Sequence, residues 1–239
     1  MILGRTNKFI LRFSNKIICY DKNILGINKK FKNKIFITKP LLRKEFYTIK
    51  DNYQKDISSN LKLLIIGGSQ GSEFFDTKIK DLIINLSKFF KLEILQQISN
   101  KKKREEITDE YNKLKIQNQL FDFDSNIHKK FYLYDLAITR SGASTISELC
   151  HYKVPFIAIP FPHAKDNHQF LNAKYYLDKN CCWIINQNDF DLEKTTFFFK
   201  NLIDNQTDLK NKKENLNKIS YQNTWNNINQ KIIDLINEN

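Results

Sequence analysis

Glycine and proline are scarce in this chain, at 6 and 4 of 239 residues. With 41% hydrophobic residues, that scarcity excludes a disordered or low-complexity chain and argues for a folded one. No apolar run reaches the roughly 18 residues that a membrane-crossing helix needs. The N-terminus has no apolar core followed by a small-residue cleavage site, so no signal peptide is expected. Closely spaced cysteine pairs of the metal-binding kind are also missing. Cys19, Cys150, Cys181 and Cys182 stand in apolar surroundings, and the adjacent pair is poor spacing for zinc. Buried thiols in a reducing compartment are the expectation. Acidic residues fall short of basic ones, 26 against 39, for a formal charge of +13. The excess is scattered lysine beside abundant asparagine and isoleucine. No basic run interleaves with aromatics as a nucleic-acid surface would, so no nucleic-acid partner is expected.

The informative part begins at residue 61. The apolar run Leu61-Lys62-Leu63-Leu64-Ile65-Ile66 stops at Gly67-Gly68-Ser69-Gln70-Gly71-Ser72, and a helical pattern comes next, over 74–89. This reads as a buried parallel strand, a tight glycine turn and a helix start. Such a turn lets backbone amides approach an anion at a helix N-terminus. It matches neither the dinucleotide fingerprint nor the ATP-binding P-loop, whose lysine it lacks.

The alternation then continues. Strands are expected at 92–96, 120–123, 135–139, 156–159 and 182–185, with helices at 104–115, 127–132, 144–150 and 166–177 between them. Beyond Asp189 the chain reads as helical, with breaks near Asn205 and Asn217. Upstream, two short strands at 17–20 and 35–37 are too few to cover their own faces and should either join the rest of the chain or lean on something absent from it. Residues 50–60 read as a polar surface linker. The whole pattern predicts an α/β fold, a Rossmann-like parallel sheet with helices on both faces. Loops at the carboxyl ends of the strands would then share one crevice, bringing together residues 67–72, 140–145 and 162–169.

The second of these segments, Arg140-Ser141-Gly142-Ala143-Ser144-Thr145, reads as a strand end turning into a helix that Ser144 or Thr145 could cap. Its amides suit a phosphate. Arg140 could pair with that phosphate or with a surface carboxylate. Glu148 could stabilise the helix start electrostatically or accept from sugar hydroxyls. In the third segment His168, Gln169 and Asn172 cluster near a helix beginning, where an amide side chain can both donate to and accept from a sugar hydroxyl. Metal ligation by His163 and His168 is not expected, because no carboxylate–histidine pattern accompanies them.

Together Gly67-Gly68-Ser69-Gln70-Gly71, then Arg140-Ser141-Gly142-Ala143 with Thr145 and Glu148, then Asp166-Asn167-His168-Gln169 with Asn172-Ala173, resemble the MurG family of glycosyltransferases. Leu3-Gly4-Arg5-Thr6-Asn7-Lys8 resembles a segment near the end of that family's first domain, so the likeness runs through nearly the whole chain. The family adds N-acetylglucosamine to the lipid-linked muramyl-pentapeptide of peptidoglycan, using the two-domain GT-B architecture. The resemblance implies that this chain is the UDP-N-acetylglucosamine-binding half. Gly68 and Ser69 would line the phosphate side, and Arg140, Gly142 and Thr145 the nucleoside and diphosphate. Glu148 would take the ribose hydroxyls. His168 and Gln169 would face the sugar, with Asn172 supporting that loop. Arg43 matches a family arginine near the phosphates, although Lys39-Pro40-Leu41 stands where the family has Gly-Asn-Pro.

The resemblance further implies a division into an end-of-first-domain segment over 1–50, a UDP-sugar-binding domain over 51–220, and a C-terminal helix over 221–239 that packs back towards the first domain. Trp225, Ile228, Ile232, Ile233 and Leu235 would form that helix's apolar stripe. No histidine stands in the context of the family's proposed base, so no catalytic residue is assigned here. The lipid-linked acceptor would be reached through an absent N-terminal domain or a separate subunit. Truncation to an inactive remnant, or a non-catalytic nucleotide-sugar-binding module, is the alternative. No cofactor is expected, and no protein-bound metal. Location would be cytoplasmic, peripheral on the inner face of the membrane, where lysines meet anionic lipid.

Overall fold

The computed structural model describes residues 5–22, 24–47, 60–68, 72–220 and 224–237. The expected linker at 50–60 lies almost wholly outside these residues, as do Leu3, Gly4, Ser69, Gln70 and Gly71.

Six strands form one parallel sheet: β3 (Asn60–Ile66), β4 (Lys91–Gln97), β5 (Gln117–Phe121), β6 (Leu136–Thr139), β7 (Phe156–Ala158) and β8 (Cys182–Ile184). Their order is β5-β4-β3-β6-β7-β8, so the sheet is built outward in both directions from β3 and β6. Those two neighbours run in register from Leu63 beside Leu136 to Ile66 beside Thr139. Between them the direction of winding reverses, which opens a crevice beyond their carboxyl ends.

Both faces of the sheet are buried, and the side chains divide by strand periodicity. Leu63, Ile65, Ile94, Ile138 and Ile157 face one layer, made with α2 (Lys80–Leu86), α3 (Lys101–Lys113) and α6 (Leu192–Asp204). Leu64, Ile66, Leu95, Ala137, Phe156 and Ala158 face the other, made with α4 (Ala143–His151), α5 (His168–Leu177) and α7 (Thr207–Ser220). The expected Rossmann-like parallel sheet with helices on both faces is therefore present.

Several boundaries differ from the sequence reading. The helix expected over 74–89 opens as a π-helical turn, Phe75–Ile79, before α2. β5 starts earlier than expected, at polar Gln117, because its partner β4 supplies the pairing that residue type does not advertise. The break expected near Asn217 falls slightly later: α7 runs to Ser220, held by buried Leu209 and Leu216, and α8 starts at Trp225. The break near Asn205 is real.

Upstream, α1 (Arg5–Ile10) precedes β1 (Ile17–Cys19) and β2 (Ile35–Ile37), which pair in parallel as a separate two-stranded sheet. Leu11, Cys19 and Ile24 form its small core. As expected, it leans on the larger sheet's layers. The Tyr175 hydroxyl on α5 donates to the Tyr20 carbonyl at 3.3 Å, with the two rings edge to face. The Lys39 ammonium donates to the Ile219 carbonyl at the end of α7. A 3-10 turn, Lys44–Tyr47, then plants Phe46 fully inside the α4 layer. The last helix, α8 (Trp225–Asn237), buries Ile228 and Leu235, with Trp225 against Tyr47. Among the described residues, no helix is long and apolar enough to cross a membrane.

Candidate functional site

The crevice floor is made by the ends of β3 and β6. After Ile66 the chain turns through two glycines with distinct physical reasons. A Cβ on Gly67 would stand 3.3 Å from the Ser72 Cβ, tighter than ordinary contact. Gly68 adopts φ +95°, which side-chain-bearing residues rarely tolerate. The turn lies close over the end of β6, with the Arg140 side chain 3.8 Å from where a Gly68 Cβ would be.

On the β6 side, Gly142 is the N-cap of α4, and no side chain caps that helix. The expected capping by Ser144 or Thr145 is not observed. Both lie inside the first turn, where a side chain cannot reach back as an N-cap does. Among the described residues the first-turn amides of α4 have no side-chain cap, and they carry the positive end of the helix dipole. Thr145 is half-buried in that turn.

Arg140 is not the surface arginine that the sequence left open. It is 6% exposed, and its guanidinium makes four hydrogen bonds. Nη1 donates to the Ile159 and Pro160 carbonyls at 3.1 and 3.2 Å. Nη2 donates to Ser72 Oγ at 2.8 Å and to Gln187 Oε1 at 2.6 Å. The rings of Phe74, Phe75 and Phe161 lie 5.0–5.7 Å from its centre. No carboxylate among the described residues pairs with it. Burial draws its pKa down to about 10, so the group is still a cation at neutral pH.

The third segment supports the second. Gln169 Oε1 accepts from the Ser141 amide at 3.3 Å and the Phe161 amide at 3.0 Å. Asn172 Nδ2 donates to the Ser141 carbonyl at 3.1 Å. Ser141 is thus held on both backbone groups by two side chains of α5. His168 is exposed at the start of that helix, its Nδ1 on the Lys165 carbonyl at 2.8 Å. Asp166 and Asn167 both take positive φ, a bend that turns the loop into α5.

Arg43 and Glu148 come together from distant parts of the chain. Phe46 anchors the linker turn, its carbonyl accepting from His151 Nε2 at 3.0 Å, with His128 stacked on its ring. That anchor sets Arg43 near α4. Glu148 lies in the second turn of α4, not the first, so the helix-start role is not available to it. Burial raises its pKa to about 7, and Arg43 opposes the rise. Among the described residues no cluster of three or more His, Cys, Asp or Glu could hold a metal ion.

The structure thus gathers Gly68, Arg140, Gly142, Thr145, Gln169 and Asn172 at one crevice, with Arg43 and Glu148 near each other at α4 and His168 exposed at the start of α5. Ser69 lies outside the described residues. Gln187 and Phe161 were missed by motif reading. The available signal was topological: each comes soon after a strand of this sheet, on the rim where the crevice must lie.

A doubly wound α/β domain with a glycine turn and an uncapped helix at its reversal point is of the class that binds phosphorylated ligands. Residues 62–231 match the model of the glycosyltransferase family 28 C-terminal domain, and the chain belongs to that family. It is 46% identical over its full length to the UDP-N-acetylglucosamine--N-acetylmuramyl-(pentapeptide) pyrophosphoryl-undecaprenol N-acetylglucosamine transferase of Pelagibacter ubique, covering 66% of that protein. Over 217 residues it is 36% identical to the Rickettsia canadensis protein of the same name, with 90% of this chain and 61% of the other covered. The crystal structure of Acinetobacter baumannii MurG superposes with a TM-score of 0.73 at 24% identity, over 100% of this chain and 64% of that one. The fold is that of the C-terminal domain of a GT-B glycosyltransferase. The chain spans two thirds or less of the length of these relatives.

Proposed function

We propose that this chain binds UDP-N-acetylglucosamine in the β3/β6 crevice and forms the donor side of an N-acetylglucosaminyltransferase whose acceptor is lipid-linked muramyl-pentapeptide. The observation that carries the reading is the uncapped N-terminus of α4 beside the Gly67–Gly68 turn, above a buried cation with no carboxylate partner among the described residues. Two sets of amides and a fixed positive charge are what a diphosphate requires, both on binding and as it departs.

In this reading Gly67, Gly68 and the adjoining Ser69 present the phosphate-side backbone, and Gly142 and Thr145 the start of α4. Arg140 acts from beneath as a buried charge, since the four hydrogens on its Nη atoms are already engaged by protein acceptors. Glu148 serves the nucleoside side by accepting from ribose hydroxyls, and Arg43, whose charge acts on Glu148, stands towards the phosphates. Gln169 spends its oxygen on two backbone amides and keeps its NH2 group for the sugar. His168 faces the same sugar from the loop, and Asn172 holds Ser141 in place.

Transfer also needs a base to take the acceptor proton. His128 and His151 are packed around Phe46, so neither is placed for that work. The base and the lipid site belong to an acceptor-binding part outside the described residues, joined to this chain or carried by another. The cytoplasmic face of the membrane, where such a lipid substrate and anionic headgroups meet the enzyme, is the proposed place of action.

Calorimetric titration with UDP-N-acetylglucosamine, with UDP-glucose and ADP as controls, tests the donor reading. Saturable binding selective for UDP-N-acetylglucosamine is expected. A folded sample that binds none of the three would overturn it.

A further inference from the structure

Gln187 belongs to none of the three motifs. It opens the 3-10 turn, Gln187–Asp189, that comes after edge strand β8. We infer that Gln187 is a positioning residue which, through Arg140, fixes Ser72 and the start of the helical segment after it on the other side of the crevice. The part of this inference that concerns a ligand rests on the nucleotide-sugar reading above.

Arg140 rises from the end of β6 and reaches the ends of three other strands. Nη1 is bound to two carbonyls after β7. Nη2 has two hydrogens; one goes to Ser72 ahead of the helical segment, the other to Gln187 after β8. A guanidinium is planar and rigid, so it cannot swing to improve one of these bonds without damaging the others. The position of Ser72 is therefore tied to that of Gln187 across the intervening strands β6 and β7.

Ser72 in turn anchors the start of the helical segment. Its carbonyl accepts from the Phe75 and Asp76 amides at 2.9 and 3.0 Å, starting the helical segment. Its Cβ also limits the space beside Gly67. A loosened Ser72 would free the start of that helical segment and the space beside Gly67.

The choice of an amide at 187 is chemically specific. A neutral oxygen accepts from Arg140 without cancelling its charge. A carboxylate would hold the guanidinium equally well but would neutralise it, weakening the site for an anion. Positioning and charge can thus be separated by two substitutions, Gln187→Leu and Gln187→Glu.

The first readout needs no ligand: amide hydrogen exchange of Phe75 and Asp76 in the full chain, with Leu64 and Ile65 in β3 as internal references. In Gln187→Leu the Phe75 and Asp76 amides should exchange faster by on the order of tenfold, the references staying as they were. Gln187→Glu should restore wild-type exchange. The second readout is UDP affinity, expected to fall on the order of tenfold in both variants, through misplacement in the first and charge cancellation in the second. Unchanged exchange of Phe75 and Asp76 in Gln187→Leu would overturn the inference. A wild-type chain that ignores UDP would sink the nucleotide-sugar reading instead, while the exchange comparison would still decide the role of Gln187.

Discussion

Glu148 is a carboxyl group that the folded chain holds near neutrality. Its ordinary pKa is 4.5, and burial raises it to about 7. The folded state therefore binds this proton more tightly than the unfolded state does. Between about pH 4.5 and 7 the Glu148 contribution to stability falls as pH rises, because ionising the buried group costs more in the fold. Thermal unfolding of wild type and Glu148→Gln across that window should show the difference: the variant lacks this slope and gains on wild type towards pH 7. Gly68 makes a second test. A Cβ there meets Arg140 at only ordinary contact distance, so Gly68→Ala should suffer through its φ of +95° alone, by about 1–2 kcal/mol in chemical denaturation. Residue identities in the three motifs were legible from the sequence, whereas the environment of Arg140 was not. Nothing local distinguishes an arginine that reaches solvent from one folded back among Ser72, Gln187 and three aromatic rings. Only the topology brings those partners together.

At the scale of elements, the linker turn Lys44–Tyr47 depends on one side chain. Phe46 is fully buried, stacks on His128 and lends its carbonyl to His151. Phe46→Ala should cost about 3–5 kcal/mol in denaturant unfolding, and more than its cavity if Arg43 leaves Glu148 as well. The central strands could be read from sequence because burial on both faces demands continuous aliphatic runs. β5 was harder, since an edge strand beginning Gln117-Asn118-Gln119 carries little apolar signal. The start of α5 was harder still. Its bend uses positive φ at Asp166 and Asn167, a conformation that the residue types tolerate without announcing. The continuity of α7 past Asn217 shows tertiary packing overriding a weak helix former.

At the scale of the molecule, the four cysteines sample both the small upstream sheet and the main domain, and all are buried. Burial pushes the thiols of Cys181 and Cys182 up to about 11 and 12, and Cys19 and Cys150 upward too. A native sample at neutral pH should resist iodoacetamide at all four, and labelling should accompany unfolding. Cys19 reacting ahead of the others would report opening of the upstream sheet by itself. The order of strands, and hence the rim where the site must lie, was within reach of alternating patterns and right-handed connection rules. The separate pairing of β1 with β2 was not, because two short strands could as well have joined the larger sheet's edge.

The Tyr20–Tyr175 contact gives that small sheet mechanical purchase on the crevice. Tyr175 sits on α5 one turn beyond Asn172, which together with Gln169 grips Ser141. A helix is stiff along its axis, so α5 connects the upstream sheet with the β6–α4 loop through one rigid element. A load on the small sheet would thus be passed along α5 to the β6–α4 loop, the segment proposed above to meet the diphosphate.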